Sequence, residues 1–285
     1  MSIAVAVPAS TVVLLRGDHP FEVFLVRRSD SVAFLGGAHV FPGGRVDPAD
    51  RIHDVVGGVR LQADSFVAAT ENLTSRMPDV PADVVIAHHV AAVRELFEEA
   101  GVLLARPLTA ASVQRLTADR RELLAGRITF GDIVRRERLH LALDELAYFA
   151  HWVTPEIEIR RFDTRFFIAR APKGQTPIHD AGETTHSEWA EPARAIESCR
   201  AGVISLPPPT WTTLQMLSKF DSVDAVFDWA RRKPIPRVQP RFEKRGGQTL
   251  LFYPGDPMYP PVEGFDATET RFVLENRRWM PITPD

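Results

Sequence analysis

Arg94 to Val102 reads RELFEEAGV, which places three carboxylates and an arginine within six residues, just ahead of Gly101. In a helix, Glu95, Glu98 and Glu99 fall within an arc of roughly 100°, with Ile86, Val93, Leu96, Phe97 and Ala100 on the opposite side. Like charges at that spacing cost roughly a few tenths of a kcal/mol each. Negative charge at a helix C-terminus also opposes the macrodipole. A solvated acidic face is the plain reading. The sharper reading is a hard-cation site, since Mg²⁺ takes oxygen ligands from one or two carboxylates together with substrate phosphates. Arg94 sits beside the carboxylates, where a bidentate pair would lock one of them. His88 falls on the carboxylate face two turns earlier, and His89 on the apolar side.

The elements that must position this cluster are short and of mixed type. Asp83 is a candidate N-cap for a helix running to Ala100, with Gly101 as its stop. TVVLL (11–15) and FEVFLV (21–26) read as a hairpin. AHVFPGGRVD ends a short strand in a loop, where Gly43 and Gly44 allow positive φ or close backbone approach. The stretch 48–77 has weak helical periodicity and reads as a helical insertion. Helices are expected at 111–125 and 132–143, and strands at 146–155 and 163–170. Three more helices follow: Ala193–Arg200, one behind the prolines of PPTW, and Asp221–Arg232. The tail from Lys233 is rich in Pro and Gly, yet TLLFY and RFVLENRRW read as strands. The class is α/β or α+β, with one mixed central β-sheet between helices.

The chain of 285 residues is 45% hydrophobic and 25% charged, enough for a sizeable core. A net charge of −3 gives no reason to expect nucleic acid or a membrane as partner. Cys199 is the single cysteine, which excludes an intrachain disulfide and a thiolate zinc cluster. The apolar N-terminal stretch has no basic leader and no run reaches membrane-spanning length, so a cytoplasmic protein is expected.

RELFEEAGV matches every fixed position of the core of the Nudix hydrolase signature, and the chain thus resembles that superfamily. FPGGRVDPAD resembles the start of the signature, with Gly44 as its first glycine and Asp50 in its acidic position. The family pattern has seven residues between that acid and the arginine, whereas 43 separate Asp50 from Arg94, an excess of 36. Such an insertion is similar to one in the coenzyme A diphosphatase-like branch of the superfamily. LGGAHVFPGG (35–44), HWVTPEIEIRRFDTRFF (151–167) and LPPPTW (206–211) resemble the same branch.

The resemblance implies a Nudix fold over residues 1–232 with a helical insertion at about 51–82. Residues 233–285 would form an extension packing on the domain or on a partner subunit, so a homodimer is expected as an option. It implies Mg²⁺ or Mn²⁺ held by Glu95, Glu98 and Glu99, with Arg94 fixing the cluster. Glu183, in the loop DAGETTHSEW, is implied as a further ligand or general base; its plain reading is a solvated loop acid. Gly43 and Gly44 would shape the site and offer N–H groups to phosphate. Arginine forks suit phosphate oxygens, which makes Arg161 and Arg165 of RRFDTRFF candidates for substrate. His39, just before FPGG, is another. The implied substrate is a small nucleoside diphosphate linked to X, with coenzyme A or its thioesters preferred. ADP-ribose, NADH or a nucleotide sugar is the first alternative, and a non-catalytic ligand sensor the second. Trp211 and Cys199 read as packed residues.

Overall fold

A computed structural model describes residues 4–32, 35–51, 73–180 and 182–283. Most of the expected insertion, 52–72, lies outside the described residues. Strands β1 (Val7–Gly17) and β2 (Phe21–Arg28) form the expected hairpin, followed by β3 (His39–Val40) and β4 (Gly43–Arg45). Helix α1 spans Ala82–Ala100. After β5 (Ala105–Arg106) come α2 (Ala110–Leu124), α3 (Phe130–Arg136), β6 (His140–Leu141), β7 (Ala147–Val153) and β8 (Phe162–Arg170). Then follow β9 (Thr184–Ala190), α4 (Pro192–Arg200), α5 (Pro208–Leu217) and α6 (Val223–Arg232). The tail forms β10 (Arg237–Val238), β11 (Arg241–Arg245), β12 (Gln248–Phe252), β13 (Arg271–Glu275) and β14 (Arg278–Pro281).

The main sheet runs β10-β7-β8-β1-β2-β3, with β4 beside β1 and β9 beside β2. Its centre is the parallel pair β1 and β8, flanked by antiparallel neighbours. A strand in that position is covered on both faces, so its side chains alternate between two cores. Val12 and Leu14 join Phe167, Phe97 and Leu96 on the α1 side. Val13 and Leu15 join Phe166, Trp211 and Phe227 on the side of α4 to α6. This is why TVVLL is an unbroken apolar run.

Two helix boundaries differ from expectation. Asp83 lies in the first turn of α1 and Pro81 holds the N-cap position without a side-chain bond, since proline supplies a suitable φ in place of an acceptor. The helix expected at 132–143 spans only 130–136. Thr129 and Asp132 form its capping box, and Arg138 at φ 52° cannot continue it. At the other end of α1, Gly101 caps at φ 69° as the sequence suggests.

The tail packs on its own core. Tyr253 and Phe272 are fully buried in the α4–α6 core, and Arg271 makes a two-point ion pair with buried Asp256. Glu269 accepts from Trp211 Nε1 and Gln215 Nε2, both at 2.7 Å, and pairs with Arg200. These apolar residues are thus packed within their own chain. Glu269→Ala would leave two donors unpaired, and we expect it to destabilise the fold by about 2 kcal/mol in urea titration followed by tryptophan fluorescence. A change below about 0.5 kcal/mol would show that the tail docks by packing alone.

Candidate active site

Helix α1 delivers its last two turns to the ends of β1 and β4, and there is no solvated acidic face. Glu99 is buried, and the side chain of Glu95 is only 13% exposed. The Arg94 guanidinium is the hub. Its Nε and Nη2 each donate to Asp50 at 2.9 Å, Nη1 donates to Glu95 at 2.8 Å and to Glu98 at 3.2 Å, and Nη2 donates also to the Arg45 carbonyl at 2.8 Å. Asp50 thus reaches the helix despite the 43 intervening residues. Its own carboxylate is 2% exposed and accepts from the Asp47 N–H at 2.7 Å.

Burial pushes the Glu95 carboxyl up to about 7, with the charge of Glu98 adding to it and Arg94 opposing. Burial likewise pushes Glu99 up to about 8, helped by Glu95, and raises Glu98. For Arg94, burial disfavours the charge, but the carboxylates around it more than offset this, and it stays ionised. From α2, Arg120 Nε donates to the Glu98 carbonyl at 2.9 Å, which sets a cation against the C-terminal end of α1.

The glycines owe their place to close approach. Neither Gly43 nor Gly44 is among the residues at positive φ. A Cβ on Gly44 would sit 2.5 Å from Glu95 Oε1, and one on Gly43 2.5 Å from the Ser10 carbonyl and Thr11 Oγ1. The Gly43 N–H is not offered to a ligand as expected, because it donates to Glu99 Oε2 at 2.9 Å.

Beside the cluster opens a cleft of about 930 Å³, lined by Arg94, the three glutamates, both glycines, Arg28 and Glu183 at one end. Glu183 projects from the loop before β9, 69% exposed, 3.9 Å from Arg28. Sequence reasoning missed what holds it there. Asp180 accepts from the N–H groups of Glu183 (3.0 Å) and Thr184 (2.8 Å), and the Glu183 carbonyl accepts from Ser29 N–H at 2.8 Å. The D-x-x-E-T spacing is the signal that could have found it, since aspartate binds backbone N–H groups a few residues on.

Arg161, Arg165 and His39 are not brought to the cleft. Along β8 the side chains alternate: Phe162, Thr164 and Phe166 line the cleft, and Arg165 turns to the α1 side. There its Nη1 donates to His88 Nε2 at 2.6 Å and lies 3.3 Å from Asp163. His88 then carries its proton on Nδ1 and donates to Ser10 Oγ at 3.0 Å; burial, with Arg165, lowers its pKa to about 3, so it is a neutral structural residue. Arg161 is buried and bonded to the carbonyls of Thr154 and Ala4 and to Gln239. His39 is buried 3.7 Å from Glu188, its pKa lowered to about 4 by burial. Arg160 is the arginine of RRFDTRFF that lines the cleft.

The donor set fits a divalent cation. Glu95, Glu98 and Glu99 line one end of the cleft beside Arg94, and burial is the first cause that raises all three. Among the described residues no three acid or histidine side chains already converge as a closed metal cage.

The NUDT19 Nudix domain family matches residues 51–217. The chain is 30% identical over 294 residues to the acyl-coenzyme A diphosphatase NUDT19 of Homo sapiens, covering 90% of this chain and 76% of that protein. It is 26% identical to the Xenopus laevis protein of the same name, with the same coverage. Among solved structures, a NUDIX hydrolase from Alicyclobacillus acidocaldarius superposes with a TM-score of 0.59 at 23% identity, covering 80% of this chain and 97% of that one. The chain belongs to the NUDT19 Nudix family.

Asp50→Ala would leave the Arg94 guanidinium buried without its bidentate partner. It should cost about 3 kcal/mol in chemical denaturation, against a smaller loss for Asp50→Asn. Equal stability of wild type and Asp50→Ala would mean that Asp47 or solvent replaces the partner.

Proposed function

We propose that this protein is a Mg²⁺- or Mn²⁺-dependent cytoplasmic diphosphatase that hydrolyses coenzyme A or its thioesters to 3′,5′-ADP and (acyl-)4′-phosphopantetheine. The observation that carries this reading is the carboxylate cluster around Arg94 at the mouth of a cleft large enough for a nucleotide conjugate. The names of the NUDT19 relatives support the substrate class. When bound, the cation supplies Lewis-acid polarisation of the diphosphate and a more acidic attacking water.

The residues divide the remaining work. Glu98, Glu99 and Glu95 present the oxygens that hold the cation. Arg94, fixed by Asp50, keeps Glu95 and Glu98 at set positions, so little reorganisation is needed as charge develops. The absent Cβ atoms of Gly43 and Gly44 let β1, β4 and α1 close to contact distance. Glu183 reaches into the same end of the cleft and accepts the proton of the attacking water. Arg28 and Arg160, both on the cleft wall, attract the anionic substrate.

Coenzyme A, acetyl-coenzyme A, ADP-ribose, NADH and GDP-mannose, incubated with Mg²⁺ or Mn²⁺ and followed by mass spectrometry, test the reading. We expect 3′,5′-ADP from the coenzyme A substrates, and a loss of at least about a hundred-fold in Glu98→Gln. Cleavage of another panel member alone would sink the substrate. No cleavage of any, with a ligand still raising Tm, would mean a sensor.

Cation binding should also depend on pH with a definite sign. The folded state holds protons on Glu95 up to about pH 7 and on Glu99 up to about pH 8, while the unfolded chain loses them near 4.5. Without cation, these two groups therefore add stability below that window and lose it as pH rises to 8. A cation needs the ionised forms, so its stabilisation should grow from pH 6.5 to 8.5, reaching about 2.7 kcal/mol at a hundred times Kd. A Mg²⁺-induced Tm shift that is flat across this range, or that persists in Glu99→Gln, would contradict the assignment.

A further inference from the structure

The cleft does not end at the carboxylates. From Arg45 on β4, the residues in register across the sheet are Ala9 on β1, Thr164 on β8 and Trp152 on β7. Ala9, Thr164 and Trp152 all line the cleft. Three strand spacings place Trp152 about 14 Å from β4.

At that far end the tail takes over as the wall. β10 adds to the edge at β7, and the chain passes at once into the second sheet, whose Phe242, Leu251, Tyr253 and Trp279 face the cleft. The Tyr253 ring stands 5.4 Å from the Trp152 ring in an edge-on contact. This wall lies beyond residues 51–217, the stretch matched by the family domain.

We propose that the C-terminal sheet is a binding site for the X arm of the substrate, with an apolar subsite for the acyl chain on its sulfur. This rests on the coenzyme A reading above. A 4′-phosphopantetheine arm has the backbone length of about four residues, so its extended reach is about 14 Å. With the diphosphate held at β4 and the glutamates, the sulfur arrives at Trp152. Beyond the sulfur, Phe242 and Trp279, both half-buried, offer apolar surface to a chain and no charge of their own.

The test compares octanoyl-coenzyme A with coenzyme A in wild type, Phe242→Ala and Phe242→Leu, with kcat/KM as the readout. In wild type the octanoyl substrate should be favoured by about ten-fold or more. Phe242→Ala should bring the ratio to about two, through KM, and Phe242→Leu should keep most of it. Because each variant is its own reference, a loss of folded enzyme lowers both rates and leaves the ratio alone.

If wild type cleaves both substrates with equal kcat/KM, or the ratio survives Phe242→Ala, the acyl subsite falls and the diphosphatase reading stands. Failure of wild type to cleave either substrate overturns the functional reading and the subsite with it.

Discussion

The arrangement depends on one buried ion pair. Arg94 and Asp50 are both nearly inaccessible, joined by two bonds of 2.9 Å, and the remaining donors of the same guanidinium hold Glu95, Glu98 and the Arg45 carbonyl. A planar fork with five donors can serve five acceptors at fixed angles, which a lysine cannot. Around it, the glycine strand, the short 3₁₀ turn Pro48–Arg51 and α1 become one rigid corner. A break in that pair leaves a charge in a place where water cannot reach it.

The same corner explains the crowding of glutamates at the end of α1. Their repulsion is met in part by Arg94, and Arg120 sets a further cation against the helix C-terminus. Burial above all, with the neighbouring carboxylates adding to it, leaves carboxyl groups that hold protons to near or above neutral pH. A protein that only needed a stable helix would be better served by alanine or glutamine there. The helix gives up local stability to keep ionisable oxygens at the cleft.

Much of this was readable in the sequence, for particular physical reasons. The helix and its stop were, because the apolar period of α1 and Gly101 are local signals. The carboxylate trio was, because residue spacing on a helix fixes their direction. What the spacing could not settle was whether Asp50 meets Arg94, since a contact across 43 residues is a matter of tertiary packing. The arginines of RRFDTRFF show the limit from the other side. Arg160, in the loop ahead of β8, lines the cleft, whereas Arg165 within β8 turns to the α1 side, and which of them meets the cleft depends on how the loop and α1 pack. His88 fell on the carboxylate face of the wheel and still became a buried, neutral link between Ser10 and Arg165, because α1 is covered on nearly all sides.

The tail was readable as strands and not as a wall. Its role follows from docking: Glu269 gathers donors from α4 and α5, and Tyr253 and Phe272 complete the core under the sheet. A segment held this firmly can shape a cleft without adding a moving part. The carboxylates crowd at the β4 edge, where Arg94 and Asp50 hold them, while the wall made by the second sheet stands three strands away, so its apolar residues can change without disturbing that corner.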